Sequence, residues 1–278
     1  MNDNLENQNN GLSDELLSKI EKLAKDAILL KFTDEEVFTR LGGKPLVPAD
    51  FSWPKYNDNP LSFIGQIKFS EVNAGNILPD YPDKGLMYVF IFDDEETPWG
   101  FDPKDKGGWR IIFYEDETLE LNEHSFPEGI DEDAQFDIKY LKGKKIKTYP
   151  CWENENIEKL ELDDNEFELY EDMKTAFFGD EDEHVLGGYA NPIQSADMDL
   201  ECQLVSNGLF CGNETGYQDP RAKELEKGRG DWQLLLQIDS DDDAYMMWGD
   251  SGMLYFWIKK DDLKNRNFDD VWMILQCC

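Results

Sequence analysis

The sequence predicts a mainly β protein assembled from two duplicated β-rich halves, with a helix near its N-terminal end. Three observations carry this reading. Aromatic and β-branched runs of five to eight residues recur between clusters of Gly, Pro, Asn and Asp, the punctuation of strands and turns. Three of those runs repeat later in the same order. Near the start, apolar residues instead recur at helical spacing.

Residues 1–11 are polar and read as disordered. Ser13 is placed to cap a helix whose inner face carries Leu16, Leu17, Ile20, Leu23 and Ala24. Asp14 and Glu15 fall in its first turn, where the helix dipole favours negative charge. Ala27 to Phe32 fits either a continued helix or a strand. Thr33 and Glu36 match a capping box, so a short helical turn is expected before the Gly42-Gly43 break. From there the chain reads as strands and turns.

The repeat is read from three pairs of blocks. SFIGQI (62–67) resembles LLLQI (234–238), each an apolar run interrupted by one glutamine. GLMYVFIF (85–92) resembles GMLYFWIK (252–259), and WRIIFY (109–114) resembles WMILQC (272–277). The spacings are 19 and 24 positions in the first copy against 15 and 20 in the second. A single domain over 12–276 follows, with halves at about 41–150 and 184–276. The acidic stretch 151–183 between them reads as a partly helical insertion or an exposed linker, suited to spacing or partner contact.

Composition limits the partners. Acidic residues outnumber basic ones 61 to 27, a net charge of −34, which opposes nucleic acid and anionic membrane surfaces. It favours solubility, a basic protein partner or hard cations. The polar, acidic start lacks the basic and apolar regions of a secretory signal, and no apolar run approaches a membrane span. Five cysteines, an odd number without a C-x-x-C pair, fit reduced thiols in a cytoplasmic protein.

Candidate chemistry is sparse. Asp239, Asp241, Asp243 and Asp250 occupy positions 1, 3, 5 and 12 of a calcium-loop ladder. Position 6 is Ala244 rather than glycine, and the flanks read as strands, so a hairpin connection competes with calcium binding. Gln66 and Gln237 each interrupt an apolar strand, and a buried amide needs partners. They are expected either to tie the halves together or to line a polar pocket between them. His124 and His184 are the only imidazoles; His124 reads as a loop residue, and His184 follows an acidic run. A pairing of His184 with Cys202 or Cys211 is conceivable. Trp53 and Trp248 fit the core or an aromatic ligand wall. No P-loop, dinucleotide or serine-hydrolase fingerprint is present.

The stretches LGGKPLVPADFSWP (41–54), PLSFIGQI (60–67), LPDYPDKGLMYVF (78–90), HVLGGYANPIQ (184–194) and 234–263 resemble the successive motifs of the YwqG-like family of bacterial proteins. The resemblance spans about residues 27–276. It implies a roll-like fold of antiparallel sheets, supplies no established reaction or cofactor, and hints at an immunity or accessory role. The strong acidity and the segment near 153–183 depart from the family pattern. Two functions are therefore expected. The first is a non-catalytic cytoplasmic binding protein that takes a partner on its acidic surface. The alternative is a small-molecule binder or hydrolase with a cleft between the halves. There Gln66, Gln237 and Gln194 would orient the ligand, Trp248 would stack, and His184 or Asp250 would move a proton.

Overall fold

The computed structural model describes residues 11–93, 97–176, 178 and 182–278. Fourteen strands form: β1 (Lys25–Phe32), β2 (Arg40–Leu41), β3 (Leu46–Pro48), β4 (Lys55–Tyr56), β5 (Asn59–Pro60), β6 (Ser62–Lys68) and β7 (Leu86–Ile91). They continue as β8 (Trp109–Tyr114), β9 (Leu121–Glu123), β10 (Lys139–Thr148), β11 (Val185–Leu186), β12 (Trp232–Asp239), β13 (Met253–Lys259) and β14 (Trp272–Gln276). The helices are short: α1 (Asp14–Glu21), α2 (Phe69–Val72), α3 (Glu155–Glu158), α4 (Asp164–Thr175), α5 (Met198–Ser206), α6 (Glu214–Tyr217), α7 (Ala222–Leu225) and α8 (Lys260–Lys264). Among the described residues, no helix is long and apolar enough to cross a membrane.

Ten strands join in one antiparallel sheet, ordered β14-β13-β12-β11-β1-β10-β2-β6-β7-β8. The expected antiparallel sheets thus merge into one, because β1 and β10 pair along their whole common length and join the flanking groups. The sheet nearly closes into a barrel. At its edges Trp109 Nε1 donates to Val271 O at 2.8 Å, and the Trp109 and Trp272 rings meet edge to face at 5.0 Å. Leu275 N also donates to Trp99 O at 3.0 Å. β7 is buried along its entire length and β13 along all but its last residue. Both faces of these strands are therefore covered, which explains continuous apolar runs in place of alternation.

Outside the main core, Val47, Leu61, Phe63, Tyr88 and Phe90 pack with Phe51, Trp53 and Phe126 over the β6–β7 face. His124 is the expected loop residue, just after β9, but it is half-buried against this cluster. Its ring centroid lies 5.7 Å from Phe51 and 5.3 Å from Trp53.

The N-terminal helix forms as expected, with Ser13 Oγ accepting from Leu16 N at 3.3 Å. Residues 25–32 resolve as strand, with the consecutive side chains Ala27, Ile28, Leu29 and Leu30 buried where the strand pairs with β10 and β11. The capping box expected at Thr33 is absent. Thr33 Oγ1 accepts instead from Glu35 N at 3.2 Å, a local turn that leads into β2 without a helix. Both double glycines, Gly42-Gly43 and Gly187-Gly188, take positive φ, which side-chain-bearing residues resist. They end β2 and β11 after two residues each. The disorder expected for residues 1–11 falls, Gly11 apart, outside the described residues.

Candidate functional site

The acidic loop after β12 is organised by a lysine. Asp241 is buried, and its Oδ2 lies 2.8 Å from Lys139 Nζ on β10 and 3.1 Å from His184 Nε2. Lys139 Nζ also lies 2.7 Å from Asp182 Oδ2 and 3.5 Å from Asp243 Oδ2. His184 Nδ1 accepts from Asp239 N at 3.1 Å, which places the ring proton on Nε2, facing Asp241. Burial alone would raise the Asp241 carboxyl, but hydrogen bonds from His184 and Lys139 outweigh it and hold its pKa well below the usual range.

Of the four aspartates of the calcium ladder, Asp241 forms this centre and Asp243 reaches its lysine, but the four do not converge on one point. Asp239 Oδ2 accepts from Glu183 N at 3.1 Å, the Asp243 side chain is 85% exposed, and Asp250 is exposed. The metal-compatible cluster among the described residues is Asp182, His184 and Asp241, the same groups that Lys139 bridges. A resident ammonium supplies the positive charge there. We expect millimolar calcium chloride to leave the melting temperature of the wild type unchanged. A saturable rise abolished by Asp241→Ala would reverse this reading.

Both interrupting glutamines bind backbone. Gln66 Nε2 donates to Phe38 O at 2.9 Å, and its Oε1 accepts from Leu46 N at 2.9 Å. Gln237 Nε2 donates to Glu183 O at 3.1 Å, and its Oε1 accepts from Asn191 N at 3.0 Å. Sequence reasoning missed a third amide of this kind. Gln276 Oε1 accepts from Ile193 N and Gln194 N, each at 3.0 Å, and Nε2 donates to Ser195 O at 2.8 Å. Its signal was the same, a lone amide in an apolar run. Gln194 itself is exposed. Trp248 lies in the core, donating Nε1 to Asp239 O at 3.0 Å. No hydrogen bond joins any two side chains among Gln66, Gln237, His184, Gln194, Trp248 and Asp250 within the described residues.

The thiols are quiet as well. Burial pushes Cys211 up to about 12, and burial raises Cys202 and Cys151 too. His184 has both ring nitrogens engaged away from them.

A buried acid escaped sequence reasoning because a lone Glu in MDLECQLVS looks like any helical carboxylate. Glu201 on α5 is 4% exposed, its Oε1 accepts from Tyr217 Oη at 3.3 Å, and its Oε2 has no partner. Burial pushes its pKa up to about 7. The folded chain therefore binds this proton more tightly than the unfolded chain. Stability falls as pH rises from the unfolded value through about 7 and stays lower above it. Glu201→Gln is expected to be more stable than wild type by about 2 kcal/mol at pH 8 and to show no gain at pH 4, read by urea unfolding.

The acidic segment proves partly helical. α3 and α4 fold back on α1, burying Ile157, Tyr170 and Met173 with Leu12, Leu16 and Ile20. Asp163 caps α4 through a reciprocal box with Glu166. Tyr149 Oη donates to Glu21 Oε1 at 2.7 Å, tying α1 to the end of β10. The outer side keeps Trp152 51% and Phe167 38% exposed, their rings 6.5 Å apart and edge to face. Around them residues 153–175 carry ten carboxylates and two lysines. Both lysines are paired locally, Lys159 with Glu155 and Lys174 with Glu171, at 2.9 Å each.

Fold and site together define a mainly antiparallel β protein with a buried Lys139–Asp241–His184 network and an open acidic helical face. Residues 39–277 match a family model described as "Domain of unknown function (DUF1963)", and the chain belongs to that family. No curated protein matches the chain.

Proposed function

We propose that this protein is a non-catalytic, cytoplasmic binding protein of the YwqG-like kind, with an immunity or accessory role, that captures a basic protein partner on the face of α3 and α4. The observation that carries the reading is the exposed Trp152–Phe167 pair set among ten carboxylates. A tryptophan at the centre of a charged rim has the chemistry of an interface anchor. The surrounding charge would steer a basic partner and make its association salt-sensitive. The engagement of His184 and the raised thiols support binding over catalysis.

The test uses two labelled amphipathic peptides of one apolar pattern, one rich in Lys and Arg and the other in Asp and Glu. The basic peptide is expected to bind, to weaken steeply between low and physiological salt, and to lose at least tenfold in affinity with Trp152→Ala. Equal binding of both peptides, or indifference to Trp152→Ala, would overturn the proposal.

We infer further that the ten-stranded sheet arose by duplication of one β unit, and this reading is supported by matched hydrogen bonds. Gly42 N donates to Ile64 O at 2.8 Å and Gly187 N to Leu235 O at 3.2 Å, two residues before each glutamine. A bulge falls at the same places, between Phe63 and Gly65 and between Leu234 and Leu236. Tyr88 and Tyr255, opposite Gln66 and Gln237, donate to Leu46 O and Asn191 O at 2.7 Å each. Leu141 N and Leu30 N donate to Thr39 O and His184 O at 3.0 and 2.8 Å. In the third block the register matches Tyr114, opposite Leu86, with Gln276, opposite Met253. The tryptophans aligned by sequence therefore slip by one position.

A further inference from the structure

Beside β1 and α5 lies a cleft of about 590 Å³, within the range of small-molecule sites. Its walls include Lys25, Tyr189, Arg229, Trp232, Trp257 and Lys260. In a chain of net charge −34, two of these cations form no ion pair among the described residues, although the Asp199 carboxylate in the same wall acts on Lys25. The Lys25 ammonium sits 3.9 Å from the centroid of the Tyr189 ring, and Lys260 Nζ donates to Gly230 O. Three lysines of β10, by contrast, are paired. Lys139, Lys145 and Lys147 each hold a carboxylate at 2.6–2.8 Å. The third cation of the cleft is satisfied in that way, since Arg229 binds Asp199 at 2.6 Å and Asp197 at 2.7 Å. Arg229 thus builds the wall and leaves Lys25 and Lys260 as the open charges.

We propose that this cleft binds a small polar metabolite by an oxyanion head, a carboxylate or a phosphate, held between Lys25 and Lys260. Two ammonium groups facing one space repel each other, and an anion placed between them removes that repulsion. Partial burial and the nearby Lys260 charge depress the Lys25 pKa and outweigh the Asp199 carboxylate, which raises it. Trp257, another wall residue, is 9% exposed, and its Nε1 is buried without a hydrogen-bond partner. Asp197, Asp199 and Glu153 also line the cleft and set its selectivity. They repel an extended polyanion while tolerating a compact anionic head, in keeping with the overall acidity.

The experiment titrates the intact chain at low ionic strength with inorganic phosphate, pyrophosphate and citrate, by calorimetry. A parallel measurement follows acetylation of Lys25 and Lys260 by mass spectrometry, with and without each anion. Saturable binding of one equivalent is expected for at least one probe, with slowed acetylation of both lysines. Lys25→Gln and Lys260→Gln should each weaken it at least tenfold, while Lys145→Gln, whose ammonium Asp26 holds 2.7 Å away, should not. Citrate against pyrophosphate separates a carboxylate preference from a phosphate preference. No saturable binding of any probe, unprotected lysines, or binding that survives in the Lys25→Gln/Lys260→Gln double variant would overturn the proposal. The cleft borders the acidic docking face, sharing Glu153 and Glu155 with it, and the two proposals are told apart by readout: peptide capture follows Trp152, and the anion titration follows Lys25 and Lys260.

Discussion

Asp241→Ala is expected to cost about 3–5 kcal/mol of folding stability, measured by urea unfolding at pH 7. The substitution takes a partner from two buried groups at once, although Lys139 keeps Asp182 at 2.7 Å. Lys139, 8% exposed in its side chain, loses its 2.8 Å partner, and His184 loses the acceptor for its Nε2 proton. It also removes the Asp241 Oδ1 that accepts from Ala244 N at 3.0 Å and shapes the loop. Lys139→Met alone should cost a similar amount, because it leaves Asp241 buried and partly unpaired. The double variant Asp241→Ala/Lys139→Met should recover part of the loss, since the isolated buried charge is then gone. The pH dependence has a definite sign. The folded Asp241 pKa lies below its unfolded value, so its contribution is complete above about pH 5 and is lost as pH falls through the folded pKa. For Lys139, burial opposes the ammonium, but hydrogen bonds to Asp182 and Asp241 prevail and raise its pKa. Its contribution is complete below the unfolded value of about 10.4 and fades at higher pH. The gap between wild type and Asp241→Ala should therefore be flat from about pH 5 to 10 and shrink in acid. A gap that widened as pH fell would mean that the pair is not what Asp241 contributes.

This network shows why some parts of the molecule were legible in the sequence and others were not. The strands at 62–67, 85–92, 234–238 and 252–259 announce themselves because they are buried on both faces or nearly so, and burial writes continuous apolar runs. The helix at Asp14–Glu21 is visible because a cap and an apolar stripe are local signals. β10 is central to the sheet yet looks like a solvated lysine-rich segment, KYLKGKKIKT. Only Lys139, Leu141, Ile146 and Thr148 are buried there, and several of the other lysines meet acids from elsewhere. Lys142 pairs with Glu35, Lys145 with Asp26 and Lys147 with Glu21. Those partners lie over a hundred residues away, beyond any local pattern. For the same reason the acidic ladder suggested calcium. Four aspartates at regular spacing are visible in one loop, whereas the lysine that answers Asp241 comes from position 139. The lone amides were informative because an interruption in an apolar run is itself local, and only their partners required the fold.

Gln66→Leu and Gln237→Leu should each cost about 2–6 kcal/mol, because each change leaves one buried backbone N–H and one carbonyl unpaired at about 1–3 kcal/mol apiece. The orphaned pair is Leu46 N and Phe38 O in the first case and Asn191 N and Glu183 O in the second. Leucine fills the volume, so the loss reports hydrogen bonding more than a cavity. Gln194→Leu provides the contrast. Its side chain is exposed and should change stability by less than about 0.5 kcal/mol. The two large effects bear on the origin of the sheet. If the halves descend from one unit, the two substitutions remove equivalent bonds and their costs should agree within about 1 kcal/mol. Because no hydrogen bond couples the two amides, the double variant should lose the sum of the single costs. Gln237 has one additional contact, Nε2 to Glu183 Oε2 at 3.3 Å, so any small excess belongs on that side. A neutral Gln66→Leu beside a severe Gln237→Leu would break the equivalence and leave the matched bulges and glycines as convergence on one strand geometry.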